Sequence, residues 1–209
     1  MKNTIKYLIL LIIYLVCGVN LQAQNYTFRN VVMSDGLSGL LVNAIYKDSE
    51  GFVWLGTDNC LDRFDGVKVR HYEFRGVDSG RKKRVNCITE TADDQLWVGN
   101  GIGLWRLNRA NGQLERIVPE KIDFAVNTLL PDGDILYIGT EKGLFIQKDG
   151  QLLQVLTDRN MLAACNRIMD LCLNEDKSAL WLATVQGLFS YSLKDGKIDS
   201  WHFQENVPE

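Results

Sequence analysis

The chain has little of what most enzymes need. Among 209 residues there are two histidines, His71 and His202, and neither has a Cys, Asp or His at metal-ligand spacing. No HExxH, G-x-S-x-G or paired-cysteine arrangement occurs. The sequence therefore points to no catalytic, cofactor-binding or metal-binding residue, and it does not identify ligand-binding residues. Helix-period runs are absent outside the first residues, which predicts an all-β chain. An excess of basic residues is also missing: 23 Lys and Arg stand against 26 Asp and Glu, a net charge of −3. Such a chain is poorly suited to holding nucleic acid or an anionic membrane through charge.

The one long apolar run lies at the start. Lys2 and Lys6 precede an uninterrupted apolar stretch over residues 7–16, and Leu21-Gln22-Ala23 resembles a signal-peptidase site. The run is short for a membrane span, which needs roughly 20 residues. Residues 1–23 are read as a signal peptide directing export to the periplasm, with an uncleaved anchor as the alternative. Val16 is bulky where a lipoprotein has a small residue, so Cys17 is not read as a lipid site. Cleavage leaves 21 basic and 26 acidic residues, a net −5. It also leaves Cys60, Cys87, Cys165 and Cys172, whose spacing matches no metal motif or dense disulfide scaffold. They are expected to be mostly free and buried, with Cys87 and Cys172 as small core fillers.

What is present is a repeat. An aromatic, an aliphatic and a small residue recur as Trp54-Leu55-Gly56, Trp97-Val98-Gly99, Tyr137-Ile138-Gly139 and Trp181-Leu182-Ala183. Leu61, Leu104, Leu144 and Leu188 follow them, and the aromatics stand 43, 40 and 44 residues apart. Each unit reads as four short strands with turn residues between them. A period near 40 with this content is the signature of β-propeller blades, each burying its faces only against its neighbours. The predicted blades are residues 42–84, 85–125, 126–165 and 166–209, preceded by a closing strand and turn over 24–41. Asp65-Gly66, Asn111-Gly112, Asp149-Gly150 and Asp195-Gly196 predict two-residue hairpins between third and fourth strands. The small residue after each aromatic pair predicts close backbone approach near the axis. Residues 26–32 alternate as a lone strand, expected to pair with the last blade and cover its edge. The fourth unit already has its own last strand, which suggests a further blade after residue 209.

The first unit carries a resemblance. Met33-Ser34-Asp35-Gly36-Leu37-Ser38, Val42-Asn43, the run from Glu50-Gly51-Phe52-Val53 to Trp54-Leu55-Gly56-Thr57, and Leu61-Asp62-Arg63-Phe64-Asp65-Gly66 resemble two-component regulator propeller sensors. The likeness extends over residues 25–209. It implies the periplasmic sensing region of a hybrid two-component system, responsive to carbohydrate. Relatives of that kind would continue through a second propeller, an immunoglobulin-like domain, one membrane span, a histidine kinase, a receiver and a helix-turn-helix domain. Four units against about seven in that family imply a truncated N-terminal portion without the kinase. Three departures stand out: Cys60 replaces the glycine of Gly103, Gly143 and Gly187, Ala183 replaces the motif glycine, and Asp170 is read at the place of Asn43, Asn86 and Asn127.

Other candidate sites have plainer readings. The run Gly99-Asn100-Gly101-Ile102-Gly103 leads into a strand, so phosphate would meet no helix N-terminus there. The acidic turns Asp48-Ser49-Glu50, Asp93-Asp94 and Asp132-Gly133-Asp134 lack the alternation of a calcium loop. Arg81-Lys82-Lys83-Arg84 is a solvated loop or a site for a uronic acid or sulfate. Trp54, Trp97, Tyr137 and Trp181 are assigned to inter-blade core rather than sugar stacking, while Trp201 and Tyr72 do not repeat. The reading is a non-catalytic propeller segment of a sensor, with an oligosaccharide as possible ligand. Its closure would need further blades or a second chain. The alternatives are a stand-alone scaffold or lectin-like propeller, and a carbohydrate-active propeller enzyme, for which no acid–base pair is found.

Overall fold

The protein is described from a computed structural model, covering residues 5–7, 30–77, 83–117, 122–156 and 167–201. Residues 1–31 form one unit and 32–209 another. Within the first, residues 5–7 are helical, and among the described residues no helix is long and apolar enough to cross a membrane.

The second unit holds four antiparallel sheets of four strands in simple chain order. Blade 1 is β1 (Val42–Lys47), β2 (Val53–Thr57), β3 (Leu61–Phe64) and β4 (Val69–Tyr72). Blade 2 is β5 (Val85–Glu90), β6 (Leu96–Asn100), β7 (Gly103–Asn108) and β8 (Gln113–Ile117). Blade 3 is β9 (Val126–Asp132), β10 (Ile135–Thr140), β11 (Gly143–Lys148) and β12 (Gln151–Gln154). Blade 4 is β13 (Ile168–Leu173), β14 (Ala179–Thr184), β15 (Gly187–Ser192) and β16 (Ile198–Trp201). The first strands β1, β5, β9 and β13 lie against one another in series. They are the inner strands of β-propeller blades packed about a common axis.

Three separate apolar clusters fill the three blade junctions. Trp54, Leu61, Tyr72 and Phe74 of blade 1 meet Val85, Leu96, Val98, Trp105 and Leu107 of blade 2. Trp97 and Leu104 meet Val126, Leu136, Ile138 and Phe145 across the second junction. Tyr137, Leu144 and Leu156 meet Ile168, Leu171, Leu180 and Leu182 across the third. The motif aromatics thus project toward the following blade. Their indoles are also anchored within their own blade: Trp54 Nε1 donates to Asp48 Oδ2 at 2.7 Å and Trp97 Nε1 to Thr91 Oγ1 at 3.1 Å. A buried ring with a satisfied N–H costs nothing in lost hydrogen bonding.

The small motif residues mark the narrowest part of each junction. A Cβ on Gly56 would stand 2.5 Å from Val85 Cγ1, one on Gly99 2.5 Å from Val126 Cγ1, and one on Gly139 2.8 Å from Ile168 Cγ2. Ala183 stands on the last described blade, where no following strand presses on it.

Several expectations need correction. Of the four hairpins expected between third and fourth strands, only Asp149-Gly150 has a two-residue loop, with Lys148 paired to Gln151 and both turn residues at positive φ (49° and 73°). In blades 1 and 2 the paired residues are Phe64 with Val69 and Asn108 with Gln113, so the loops are longer and Gly alone takes the left-handed conformation. In blade 4 the ladder ends at Tyr191 and Ile198. Most of the lone strand expected over 26–32 lies outside the described residues. Its described end, 30–32, is not strand, and Met33–Asp35 form a single 3₁₀ turn closed by Gly36.

Candidate functional site

The strand register corrects one departure. Val42, Val85, Val126 and Ile168 pair respectively with Thr57, Asn100, Thr140 and Thr184, so Met169 stands at the place of Asn43, Asn86 and Asn127. Asp170 pairs with Ala183, as Ala44, Cys87 and Thr128 pair with Gly56, Gly99 and Gly139. The turn between β13 and β14 is one residue longer, since Cys172 pairs with Trp181 nine residues on where Tyr46 pairs with Trp54 and Thr89 with Trp97 eight residues on, and counting back from the aromatic therefore lands one residue late. The asparagines have a clear role. Asn86 Nδ2 donates to Val126 O at 2.9 Å and Asn127 Nδ2 to Ile168 O at 2.7 Å, each tying one blade to the next. Asn43 instead donates to Asp58 Oδ1 at 3.0 Å. Met169 is 44% exposed and has no following carbonyl to reach.

These asparagines line a cleft of about 430 Å³ at the axis end of the inner strands, together with Arg84, Arg167, Glu141 and Met169. Arg84 and Arg167 immediately precede the inner strands of blades 2 and 4. Both are exposed, and neither guanidinium has a partner among the described residues. Of the basic run singled out in the sequence, Arg81 and Lys82 lie outside the described residues, and Arg84 is the member placed at the cleft. Arg167 had no sequence signal of its own; only the repeat register reveals that it matches Arg84.

A second cluster was concealed by spacing. Asp62 and His71 are direct cross-strand partners on β3 and β4, and Cys60 lies two residues before Asp62. His71 Nδ1 is 2.7 Å from Asp62 Oδ1, and the Cys60 thiol donates to that same oxygen at 3.3 Å. Asp62 Oδ2 accepts from Ser38 N at 2.8 Å and Ser38 Oγ at 2.7 Å. The carboxylate is fully buried, while His71 is 48% exposed. No ligand spacing in the sequence points to His71, yet strand pairing brings Cys60 and Asp62 to it; His202 lies outside the described residues. Nor is the turn at Cys60 strained. Gly103, Gly143 and Gly187 take φ of 145°, 116° and 127°, but Cys60 does not share that left-handed conformation, and β3 starts one residue later.

Several other sequence candidates make turn and core contacts. Asn100 Oδ1 accepts from Ile102 N at 3.0 Å and Trp105 Nε1 at 3.2 Å, closing the glycine-rich run as a turn. Asp48 caps its own turn through Phe52 N at 2.8 Å. Near these turns Arg109 joins blades, reaching Glu50 at 2.8 Å and Glu90 at 2.5 Å. Tyr72 is buried against Trp54, with ring centroids 5.0 Å apart.

Cys60, Cys87 and Cys172 are free, but Cys172 is exposed rather than a core filler, because it lies on the last described blade; Cys165 lies outside the described residues. Burial pushes the Cys60 thiol from its ordinary 9.0 up to about 12, with neighbouring Asp62 adding to the rise and a hydrogen bond with Ser38 opposing it. Burial also raises Cys87. Thiol alkylation of the native chain, followed by peptide mass analysis, should label Cys172 well before Cys60 or Cys87. Between pH 9 and 12 the unfolded chain releases the Cys60 proton and the folded chain keeps it. Folding stability should therefore fall across that window, and Cys60→Ser should flatten the fall.

Residues 36–59 match the model of the two-component regulator propeller. The chain carries a two-component regulator propeller repeat. The match falls on the part of the first unit where the sequence resemblance is strongest. Over 79 residues the chain is 32% identical to histidine kinase P4 of Formosa agariphila, covering 38% of this chain and 6% of that protein. It superposes on an extracellular domain assigned to a hybrid two-component system of B. thetaiotaomicron with a TM-score of 0.70 and 21% identity, over 84% of this chain and 26% of that one. A second such domain from that organism gives 0.64 at 25% identity, over 79% and 23%. Virginiamycin B lyase from Staphylococcus aureus gives 0.60 at 16% identity, over 79% and 56%, so the shared fold also carries an enzyme. The chain spans about a quarter of the two extracellular domains it matches.

Proposed function

We propose that this chain is a non-catalytic, ligand-sensing propeller segment of a hybrid two-component sensor, exported to the periplasm and responsive to an oligosaccharide. The observation that carries this reading is the axial cleft. It is polar, lies where adjacent blades meet, and has around it a row of asparagines and two arginines whose guanidinium groups have no partner among the described residues. A ligand there would touch several blades at once, so its binding energy could favour one blade arrangement over another. Free guanidinium groups suit a sugar bearing a carboxylate or sulfate, which accepts paired N–H donors.

The outer faces support the need for further blades or a second chain. Val42 and Ile45 of blade 1 are 38% and 71% exposed, and Met169 and Val185 of blade 4 are 44% and 56% exposed. Val85, Val126 and Ile168, at the repeat position of Val42, are fully buried, and Leu171, at that of Ile45, is 7% exposed. Apolar blade faces of this kind are completed by neighbours.

Calorimetric titration with neutral, uronate-bearing and sulfated oligosaccharides tests the reading. Binding of an acidic sugar should weaken at least about tenfold, or about 1.4 kcal/mol, in the Arg84→Ala/Arg167→Ala double variant. No binding across the panel would overturn it. Turnover of any glycan would point instead to an enzyme.

A further inference from the structure

At one spot the first blade departs from the other three in three residues at once. Where Cys60 stands the others have Gly103, Gly143 and Gly187. Where Asp62 stands they have Trp105, Phe145 and Phe189, each following the leucine that matches Leu61. Where His71 stands the register places Arg116, Gln154 and Ser200, the cross-strand partners of those aromatics. A repeat array normally fills such a place with an aromatic packed against the preceding blade, as Trp105 and Phe145 do here. Blade 1 instead buries a carboxylate and sets a thiol and an imidazole against it.

The three ligand atoms all lie within 4.8 Å of one another. Bonds of about 2.0–2.3 Å to one tetrahedral ion put such atoms roughly 3.3–3.7 Å apart. The observed Sγ to Oδ1 and Nδ1 to Oδ1 separations of 3.3 and 2.7 Å need to open by less than about 1 Å to reach that geometry. Two hydrogen-bond donors already converge on Asp62 Oδ1, the position at which one cation would replace both protons. The other oxygen, Oδ2, is fixed by the Ser38 amide and hydroxyl, the kind of outer support that orients a ligating carboxylate. The half-exposed His71 ring leaves the cluster open to a water as fourth ligand.

We infer that Cys60, Asp62 and His71 form a binding site for a divalent transition-metal ion of the zinc or cobalt type. A thiolate, a carboxylate and an imidazole are a donor set that such ions accept and that calcium or magnesium does not favour. Loading replaces the Cys60 S–H bond by a metal–sulfur bond and releases that proton to solvent. The neutral His71 ring, which donates its Nδ1 proton to Asp62 in the empty site, exchanges that proton through solvent for one at Nε2, so the Nδ1 lone pair binds the ion and the thiol proton is the net release. The ion would fasten β3 to β4 and hold Ser38 of the entering segment beside them.

Cobalt titration of the full chain tests this, read by the sulfur-to-metal charge-transfer band in the near ultraviolet. One cobalt per chain is expected, with a band that zinc abolishes. Cys60→Ser should remove the band. His71→Ala, at a half-exposed position that should leave folding intact by circular dichroism, should weaken cobalt affinity at least about tenfold. Cys172→Ser should leave both unchanged. Absence of a charge-transfer band in the native chain overturns the assignment. So does a band that survives Cys60→Ser or disappears in Cys172→Ser.

Discussion

Replacing Trp54 by alanine is expected to lower stability by about 3–5 kcal/mol, and replacing Trp181 by less than half as much. The two tryptophans occupy the same repeat position and follow the same pattern in sequence. Their surroundings differ. Trp54 is fully buried in the first junction, against Tyr72 of its own blade and the apolar face of blade 2. Truncation there leaves a cavity lined by residues of two sheets, and the junction cannot collapse without moving a blade. It also removes the indole N–H from Asp48 Oδ2, although Asp48 Oδ1 keeps its bond to Phe52 N. Trp181 is only partly buried, since no described blade follows it. Urea unfolding of both variants at equal protein concentration measures the difference. Equal losses would mean that the aromatics are held within their own sheets, and that junction packing contributes little to them.

That contrast shows what was legible in the sequence. Strand content and blade order were readable because they depend on short-range patterns: the aromatic triplet, the alternating strands and the turn residues between them. Each unit forms the four short strands expected of it, in chain order, since these are continuous apolar or alternating runs between turn residues. Burial was less readable, because it depends on which blade comes next. Cys172 looked like core for that reason, yet its strand is the inner strand of the last described blade. The extra residue in the turn between β13 and β14 was invisible, and counting back from Trp181 therefore placed Asp170 where the register places Met169.

The candidate sites were harder still. Nine residues separate Asp62 from His71 in sequence, and only antiparallel pairing makes them neighbours. Arg84 and Arg167 lie on different blades and meet at one cleft through the geometry of the array. The role of the threonine that follows three of the four small motif residues was not readable either. Thr140 and Thr184 donate their hydroxyls to the carbonyls of Gly143 and Gly187 at 2.8 and 2.9 Å, closing the turn between second and third strands. Local sequence shows a turn there but not which side chain holds it.

Substituting Gly99 by alanine is expected to cost about 1–3 kcal/mol, while Ala183→Gly at the matching place costs only about 0.5–1 kcal/mol. The methyl added at Gly99 would press on Cys87 Sγ of its own blade and stand 2.5 Å from Val126 Cγ1 of the next. Neither neighbour can yield easily. Val126 is fully buried, and the Asn86 amide fixes its carbonyl at 2.9 Å. Relief requires blade 3 to move away from blade 2, which would also loosen Trp97 and Leu104 against Leu136 and Phe145. At residue 183 a methyl is already present, and among the described residues no inner strand meets it from a following blade. Removing it costs mainly backbone entropy within a strand. Denaturant midpoints for the two variants, with the slope checked for constancy, decide between these causes. Equal small losses would show that the glycine serves strand geometry alone. A much larger loss at Gly99 would show that the inner strands of successive blades touch too closely there to admit a single carbon atom.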